Sequence, residues 1–143
     1  MADGEEAAPG TVLFPKDAQR SIEILWKDPD KKTKPRSATI SGKTSRWHAV
    51  YGISWGTYLS ELERLNGGPL IVGGFGTDQP VSWQGGLLEE LEPHGDGFVV
   101  LRLDYTPPKG IKLKLSAVNG DSNRPVMQRL NFRVFEITWE FPP

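Results

Sequence analysis

Every second residue of several short segments is apolar, and this alternation constrains the fold more than any other feature of the sequence. In the segment RVFEITWEF, the alternating apolar residues are Phe135, Ile137, Trp139 and Phe141. Between them stand Glu136, Thr138 and Glu140. A β-strand points successive side chains to opposite faces, so this spacing predicts a strand with one buried face and one solvated face.

Comparable segments recur along the chain and are separated by turn-forming residues. The 143 residues include 16 glycines and 12 prolines, which divide the chain into short pieces. We predict further strands in SIEILWK (residues 21–27), RSATISG (36–42), GFVVLRLDYTP (97–107) and GIKLKLSAV (110–118). Shorter extended pieces are predicted in SRWHAVYGI, PLIVGGFG and VSWQGGLLEELE, with a charged loop at DPDKKTKP and a turn at TDQP.

One segment, TYLSELERLNGG (residues 57–68), has the spacing of an amphipathic helix. Tyr58, Leu62 and Leu65 fall at positions i, i+4 and i+7, which places them on one helical face. Thr57 is expected to cap the first turn, and Gly67 to end the helix in the left-handed conformation. The pattern as a whole predicts an α+β fold, a mostly antiparallel sheet of about six to eight strands with one main helix on one face.

Composition narrows the class of protein. Lys and Arg number 17 and Asp and Glu number 18, so the net charge of −1 provides no broad positive field for nucleic acid. Cysteine is absent and there are two histidines, so we expect no metal site and no cofactor. No apolar run approaches the ~20 residues of a membrane helix. We expect a single domain at residues 11–143 after a disordered lead at residues 1–10, and leave the oligomeric state open.

The stretch GISWG (residues 52–56) matches G-x-S-x-G, the turn that exposes a nucleophilic serine in α/β-hydrolases. Asp78 and His94 follow Ser54 in the chain order that such enzymes use. An α/β-hydrolase needs a large parallel sheet with repeated crossover helices, whereas this sequence predicts one helix. We therefore interpret Gly52 and Gly56 as points where the backbone bends sharply, and assign no catalytic residue.

Aromatic residues concentrate in the middle of the chain. Candidate ligand-binding residues are Trp47, Trp55, Phe75, Asp78 and Trp83, which together with Arg46 and His48 suit a groove for a sugar or a peptide. The alternative is that these rings fill the core between helix and sheet, as we predict for Trp26 and Trp139. We interpret three carboxylates as part of a solvent-exposed edge: Glu89, Glu90 and Glu92. The alternative is that two of them form a catalytic pair.

Two stretches, GISWGTYLSELERLNGGP and GFGTDQPVSWQGGLLEEL, resemble a family of uncharacterised bacterial proteins, many of which carry export signals. The family pattern is G-I-x-x-G-T-x-L-x-E-L-x-x-L-N-G-x-P-F, followed by G-F-G-W-D and S-W-x-G-G. The resemblance extends upstream through GTVLFPKDAQRSIEILWKD and downstream to RLNFRVFEITWEF, so it covers nearly the whole chain. The chain departs from the pattern at Thr77, where an aromatic residue is expected, and at Gln79 and Pro80, which shorten the next turn.

The resemblance implies an exported protein of the periplasm or cell envelope, whose export signal lies outside this sequence; the cytoplasm is the alternative compartment. A looser similarity, to small envelope lipoprotein domains and β-lactamase-inhibitor-like modules, implies binding to other proteins. We therefore expect a non-catalytic exported domain that binds a protein or an envelope component through a sheet face or exposed aromatic rings. The alternative is a small hydrolase that uses Ser54 or acidic residues.

Overall fold

The computed structural model describes residues 10–72, 81–83, 86–92, 97–104, 120–122, 125 and 132–142. Eight strands lie in these ranges: β1 (Thr11–Leu13), β2 (Ile22–Asp28), β3 (Thr33–Ile40), β4 (Ile71–Val72), β5 (Val81–Ser82), β6 (Phe98–Asp104), β7 (Gly120–Asp121) and β8 (Arg133–Glu140). The described part of the chain also holds one α-helix, α1 (Leu59–Asn66), and two short 3-10 turns, Val50–Gly52 and Glu89–Leu91. None of these helices has the length and apolar character to cross a membrane.

The strands form two sheets in which every pairing is antiparallel. The larger sheet has five strands in the order β1-β2-β3-β8-β6, and the smaller sheet has three in the order β5-β4-β7. The predicted α+β class with a mostly antiparallel sheet and one helix is confirmed. The strand predicted at residues 110–118 and the turn at TDQP lie outside the described residues.

The core lies against one face of the five-stranded sheet. Pairing aligns Ile24, Ala38, Trp139 and Val99 in one row across four strands, and Ile40, Ile137 and Leu101 in the next. Most of these side chains are buried, while Ile24, Val99 and Trp139 are half-buried at the margin of the same cluster. The predicted alternation in β6 and in the last part of β8 is therefore confirmed.

A β-bulge changes which residues of β8 face the core. Arg102 pairs with Glu136 while Leu103 pairs with Val134, so Phe135 is an extra residue without a partner in β6. Val134 is fully buried and Phe135 is half-buried. The predicted single apolar face from Phe135 to Phe141 is wrong at its start, because the bulge shifts the alternation by one residue.

Other local predictions are also corrected. The charged loop DPDKKTKP is shorter than predicted, because β3 already begins at Thr33. The segment SRWHAVYGI is predicted to be extended, but it contains a 3-10 turn at Val50–Gly52, and its His48 forms an isolated bridge with Ser54. The end of the predicted extended piece VSWQGGLLEELE forms a 3-10 turn at Glu89–Leu91.

Helix α1 has its N-cap one residue later than predicted and its C-cap at the predicted Gly67. Its N-cap residue is Tyr58, which makes no side-chain cap bond, so the capping role assigned to Thr57 is wrong. Leu59 and Leu62 are buried in the common core, and the Leu59 amide donates to the Phe132 carbonyl at 2.9 Å. Gly67 has φ 75°, which confirms the left-handed C-cap.

A buried serine joins the helix to the smaller sheet. The Ser122 hydroxyl accepts a hydrogen bond from the Leu70 amide at 2.9 Å and donates one to Glu63 Oε2 at 2.7 Å. The Ser122 amide donates to the Leu70 carbonyl at 2.7 Å. These bonds fix the strand that follows α1 at a defined distance from the helix, and Ser122 itself is fully buried.

Candidate functional site

The GISWG stretch forms a β-turn and not a nucleophile elbow. The Thr57 amide donates to the Ser54 carbonyl at 3.1 Å, and Gly56, the third residue of the turn, has φ 91°. The Thr57 hydroxyl accepts a bond from the Ser54 amide at 2.9 Å, which closes the same turn from the side chain. The predicted bend at Gly52 and Gly56 is confirmed, since both have positive φ.

Ser54 nevertheless has a histidine close by. It forms an isolated antiparallel bridge with His48, and residues paired in this way point their side chains to the same side. His48 is exposed and Ser54 is half-buried. The residues that the sequence offered as catalytic partners, Asp78 and His94, lie outside the described residues.

The tryptophans predicted to share one ligand groove pack against different parts of the molecule. Trp83 is 2% exposed and lies in the core, so its ring has no face available to a ligand. Trp47 is partly exposed, and its indole donates to the Arg20 carbonyl at 2.7 Å. The Trp55 ring lies 5.2 Å from the guanidinium carbon of Arg133. Two further predicted site residues lie outside the described residues: Phe75 and Asp78.

The acidic segment has structural contacts. Glu92 Oε1 accepts hydrogen bonds from the Ser82 hydroxyl at 2.7 Å and from the Trp83 amide at 2.8 Å. Glu90 accepts a hydrogen bond from the Tyr51 hydroxyl. Among the described residues there is no group of three or more His, Asp or Glu side chains arranged to hold a metal ion.

A short loop projects two apolar side chains from the surface. We call Val50–Gly52 the tip loop; it is closed at its base by a hydrogen bond from the Ala49 amide to the Ile53 carbonyl at 2.6 Å. Ala49 and Ile53 are both buried in the core and anchor the loop. Val50 is 47% exposed and Tyr51 is 51% exposed. The loop therefore presents apolar surface on a base that is held fixed.

Tyr51 has an unfavourable backbone conformation. Its φ of 65° and ψ of 16° lie in the left-handed region, which costs a residue with a Cβ about 1 kcal/mol or more. Its hydroxyl donates to Glu90, and this bond raises the pKa of the Tyr51 phenol, because losing the proton would lose the bond and place two negative charges together. The bond ties the tip loop to the Glu89–Leu91 turn.

An apolar groove of about 430 Å³ lies beside the tip loop, where β6 begins and β8 ends. Its apolar walls are Val50, Leu91, Phe98, Val99, Trp139 and Phe141. Glu90, Glu140, Gly97 and Pro142 complete the lining. The groove continues the core face of the sheet beyond its last buried row, so that the half-buried ring of Trp139 belongs both to the core margin and to the groove.

Gly97 sets the width of the groove at the start of β6. It has φ 97°, and a Cβ at this position would lie 2.7 Å from the Glu140 carbonyl oxygen. A side chain here would therefore push β6 away from the end of β8, and the positive φ adds strain for any other residue.

A second, more polar cleft of about 490 Å³ lies where β2 begins and β3 ends. Its lining includes Lys16, Glu23, Ser21, Thr39 and Ser41, most of which are exposed. The loop over it is held by Asp17, whose carboxylate accepts a bond from Arg20 Nε at 2.7 Å, and this bond lowers the Asp17 pKa. The groove beside the tip loop has aromatic walls, whereas the described residues that line the second cleft include no aromatic side chain, so the groove is the better candidate site.

Sequence reasoning did not select the residues of this site. The sequence predicts an extended piece at Val50 and Tyr51 and a core position for Trp139. One signal in the sequence points to the site: the apolar face of the last strand continues through Trp139 to Phe141, beyond Ile137, the last fully buried residue of that strand. The left-handed conformation of Tyr51 has no signature in the sequence, because the residue is not glycine, asparagine or aspartate.

Comparison of the chain with protein-family models, with curated proteins and with solved structures found no match in any of the three.

Proposed function

We propose that this chain is a non-catalytic exported domain that binds a protein in the groove beside the tip loop. The observation that carries the proposal is an apolar groove with aromatic walls beside the exposed Tyr51, whose backbone is strained and whose hydroxyl donates to the groove residue Glu90. Strained residues persist where the surrounding structure holds them, and they cluster at binding and catalytic sites.

The exposed surface supports the same function. Val50 and Phe141 are each at least 40% exposed and line the groove together with the half-buried Trp139. Aromatic residues with one buried and one open face provide much of the affinity at protein interfaces. The groove is open and shallow, and a short extended segment of a partner protein fits it better than a fully enclosed small molecule does.

The first experiment uses the protein as bait in an extract of the bacterial envelope. Tyr51→Gly removes the ring and relieves the strain, so we expect unchanged stability or a gain of up to ~1 kcal/mol together with a loss of the captured partner. Val50→Asp places a charge in the groove and is expected to reduce capture at least tenfold. Quantitative mass spectrometry of the captured proteins measures both effects.

Leu87→Asp is the matched control, because Leu87 is 74% exposed and lies outside the groove lining. It is expected to capture the same partner as the unmodified protein. Capture that is equal for the unmodified protein, Val50→Asp and Tyr51→Gly contradicts binding through the groove. A Tyr51→Gly protein that is much less stable indicates instead that the ring serves the fold.

The alternative function, a small hydrolase acting through Ser54, has the His48 bridge in its favour. An activated serine reacts with fluorophosphonate probes, whereas a turn serine without an activating base does not. For the binding domain proposed here we expect no labelling of the native protein above that of Ser54→Ala. Stoichiometric labelling that is lost in both Ser54→Ala and His48→Ala, with the fold retained, decides for the hydrolase.

A further inference from the structure

Two loops meet beyond the ends of β1 and β3 and bring exposed aromatic and basic side chains together. The Arg46 amide donates to the Gln19 carbonyl at 2.7 Å, and the Trp47 indole donates to the Arg20 carbonyl at 2.7 Å. These bonds fix the loop that follows β1 against the loop that follows β3. The groove described above lies instead at the end of β8, which runs antiparallel to β3.

The first of these loops holds two apolar side chains at the surface. Leu13 and Phe14 are both exposed, and Phe14 has φ 54°, a conformation that a bulky residue keeps only where its surroundings hold it. The Phe14 carbonyl accepts from the Asp17 amide at 3.0 Å, and the guanidinium carbon of Arg20 lies 4.7 Å from the centre of the Phe14 ring. The exposed ring therefore has a defined position.

Trp47 contributes a second exposed ring from the other loop. Its indole N–H is already bonded to the Arg20 carbonyl, so the part of the ring that remains accessible is hydrocarbon. The Trp47 amide donates to the Ser45 hydroxyl at 3.2 Å, which holds the backbone of this loop in place.

Basic side chains flank these apolar ones. The two loops carry four exposed cationic residues: Lys16, Arg20, Lys43 and Arg46. Asp17 pairs with Arg20 at 2.7 Å, and Glu23 lines the polar cleft beside Lys16. With these two carboxylates counted, the surface keeps an excess of positive charge.

We propose that this surface docks on a membrane of anionic phospholipids. We call it the basic aromatic patch, and it comprises Leu13, Phe14, Lys16, Arg20, Arg46 and Trp47. Apolar and aromatic side chains enter the boundary between headgroups and acyl chains, and lysine and arginine attract the phosphates above them. A nucleic acid is attracted by the same cations, but it offers no apolar layer for Leu13 and Phe14.

Membrane docking goes beyond the proposed function and does not depend on it. None of the described residues that line the groove belongs to the basic aromatic patch. A domain held on the membrane through the patch leaves the groove free for a partner protein.

Co-sedimentation with vesicles tests the proposal. The protein is mixed with vesicles of phosphatidylcholine alone, or of phosphatidylcholine and phosphatidylglycerol in equal parts, and the bound fraction is measured after centrifugation. We expect binding to be at least about tenfold tighter to the vesicles that contain phosphatidylglycerol. High salt is expected to weaken this preference, because it screens the attraction between exposed charges.

Variants of the patch separate its apolar part from its charge. Phe14→Gly removes the ring and suits the positive φ, so we expect the fold to be retained and binding to the anionic vesicles to fall about fivefold. Lys16→Gln combined with Arg46→Gln is expected to weaken binding at least about tenfold, because each cation near an anionic surface contributes about fivefold.

Matched controls remove the same chemistry elsewhere on the surface. Leu87→Ser removes an exposed apolar side chain outside the patch. Lys31→Gln combined with Lys32→Gln removes two exposed cations from the turn between β2 and β3, away from the patch. Each control is expected to change binding less than about twofold, since screening confines the attraction to charges near the membrane.

Quenching by lipids with brominated acyl chains shows whether Trp47 enters the membrane. We expect the fluorescence of the unmodified protein to be quenched on anionic vesicles, and most of this quenching to be lost in Trp47→Phe. Phenylalanine keeps an aromatic ring in the patch, so that this variant still binds the vesicles.

Three results overturn the proposal and leave the groove untouched. The first is the absence of binding to vesicles that contain phosphatidylglycerol. The second is a loss of binding in the Lys31 and Lys32 control as large as that in the Lys16 and Arg46 variant, which places the recognised charge elsewhere. The third is binding that depends on the cations but is unchanged by Phe14→Gly and gives no quenching, which indicates a soluble polyanion such as a nucleic acid.

Discussion

Asn66→Ala is expected to lower the free energy of unfolding by about 2–4 kcal/mol, a large loss for a single side chain. Asn66 is 2% exposed at the end of α1. Its Nδ2 donates to the Trp83 carbonyl at 3.0 Å and to the Pro69 carbonyl at 3.3 Å, and its Oδ1 accepts from the Leu88 amide at 3.0 Å. Alanine leaves these buried backbone groups without the partners that the Asn66 amide provides.

Denaturant unfolding followed by far-UV circular dichroism measures the loss. Ser60→Ala is the control on the same helix, because Ser60 is exposed and alanine favours helix, so its effect is expected within about 0.5 kcal/mol. A loss below about 1 kcal/mol for Asn66→Ala contradicts the role assigned to its amide.

A second substitution tests the same contact from the opposite side. A Cβ at Gly86 would lie 2.3 Å from Asn66 Oδ1, and its three nearest atoms all belong to the Asn66 amide. Gly86→Ala is therefore expected to be strongly destabilising in the unmodified protein and much less so in the Asn66→Ala background. A double-mutant cycle reports this coupling directly, and additive losses contradict it.

Much of the fold was predictable because it follows from hydrophobic alternation. Near the start of β2 and at the ends of β3 and β6, apolar residues at every second position mark the face that the core covers, and pairing with neighbouring strands reinforces it. Gly67 was predictable for a local reason, since glycine adopts the left-handed conformation without a Cβ penalty. The bulge at Phe135 was not predictable, because it depends on how two distant strands align.

The start of the helix shows how a local signal loses to tertiary structure. Thr57 has the chemistry of an N-cap, yet its hydroxyl closes the preceding turn on the Ser54 amide. The Thr57 carbonyl accepts a bond from the Val134 amide at 2.9 Å, which holds this residue against β8. The helix consequently begins after Tyr58, whose backbone is extended.

The candidate site was less accessible to prediction than the fold. Sequence proximity grouped Trp47, Trp55 and Trp83, but short strands and turns direct neighbouring residues to different surfaces. The groove assembles Val50, Leu91, Phe98 and Trp139 from four separate segments. Its lining is a consequence of strand order, with β6 beside β8, which a single sequence does not specify.

Residues of the LNGG and SWQGG stretches serve the fold together in this structure. Asn66 of the LNGG stretch contacts the Trp83 carbonyl and closely approaches Gly86, both from the SWQGG stretch. The two quoted stretches are thus joined by one buried amide. Asn66 and Gly86 therefore have a structural role in this chain.

Trp83→Ala is expected to lower the free energy of unfolding by about 3–5 kcal/mol, because truncating a buried tryptophan removes apolar contact and leaves a cavity. Trp83 is among the largest fully buried side chains, and its ring belongs to the main core cluster. A loss of this size is comparable to the total stability of many domains, so Trp83→Phe provides a milder variant with a smaller expected loss. Trp47→Ala is the exposed comparison, because Trp47 is 39% exposed and gives up one hydrogen bond to the Arg20 carbonyl.

Thermal and denaturant unfolding of these three variants separate a core tryptophan from a ligand-binding one. If Trp83 serves the core, the loss of unfolding free energy is largest for Trp83→Ala, smaller for Trp83→Phe and smallest for Trp47→Ala. The loss for Trp47→Ala is expected to be about 1 kcal/mol, the value of one hydrogen bond. If Trp83 instead serves ligand binding, Trp83→Ala loses little stability but no longer captures the partner from the envelope extract. Stability of Trp83→Ala within about 1 kcal/mol of the unmodified protein contradicts the core assignment and returns this ring to the candidate site.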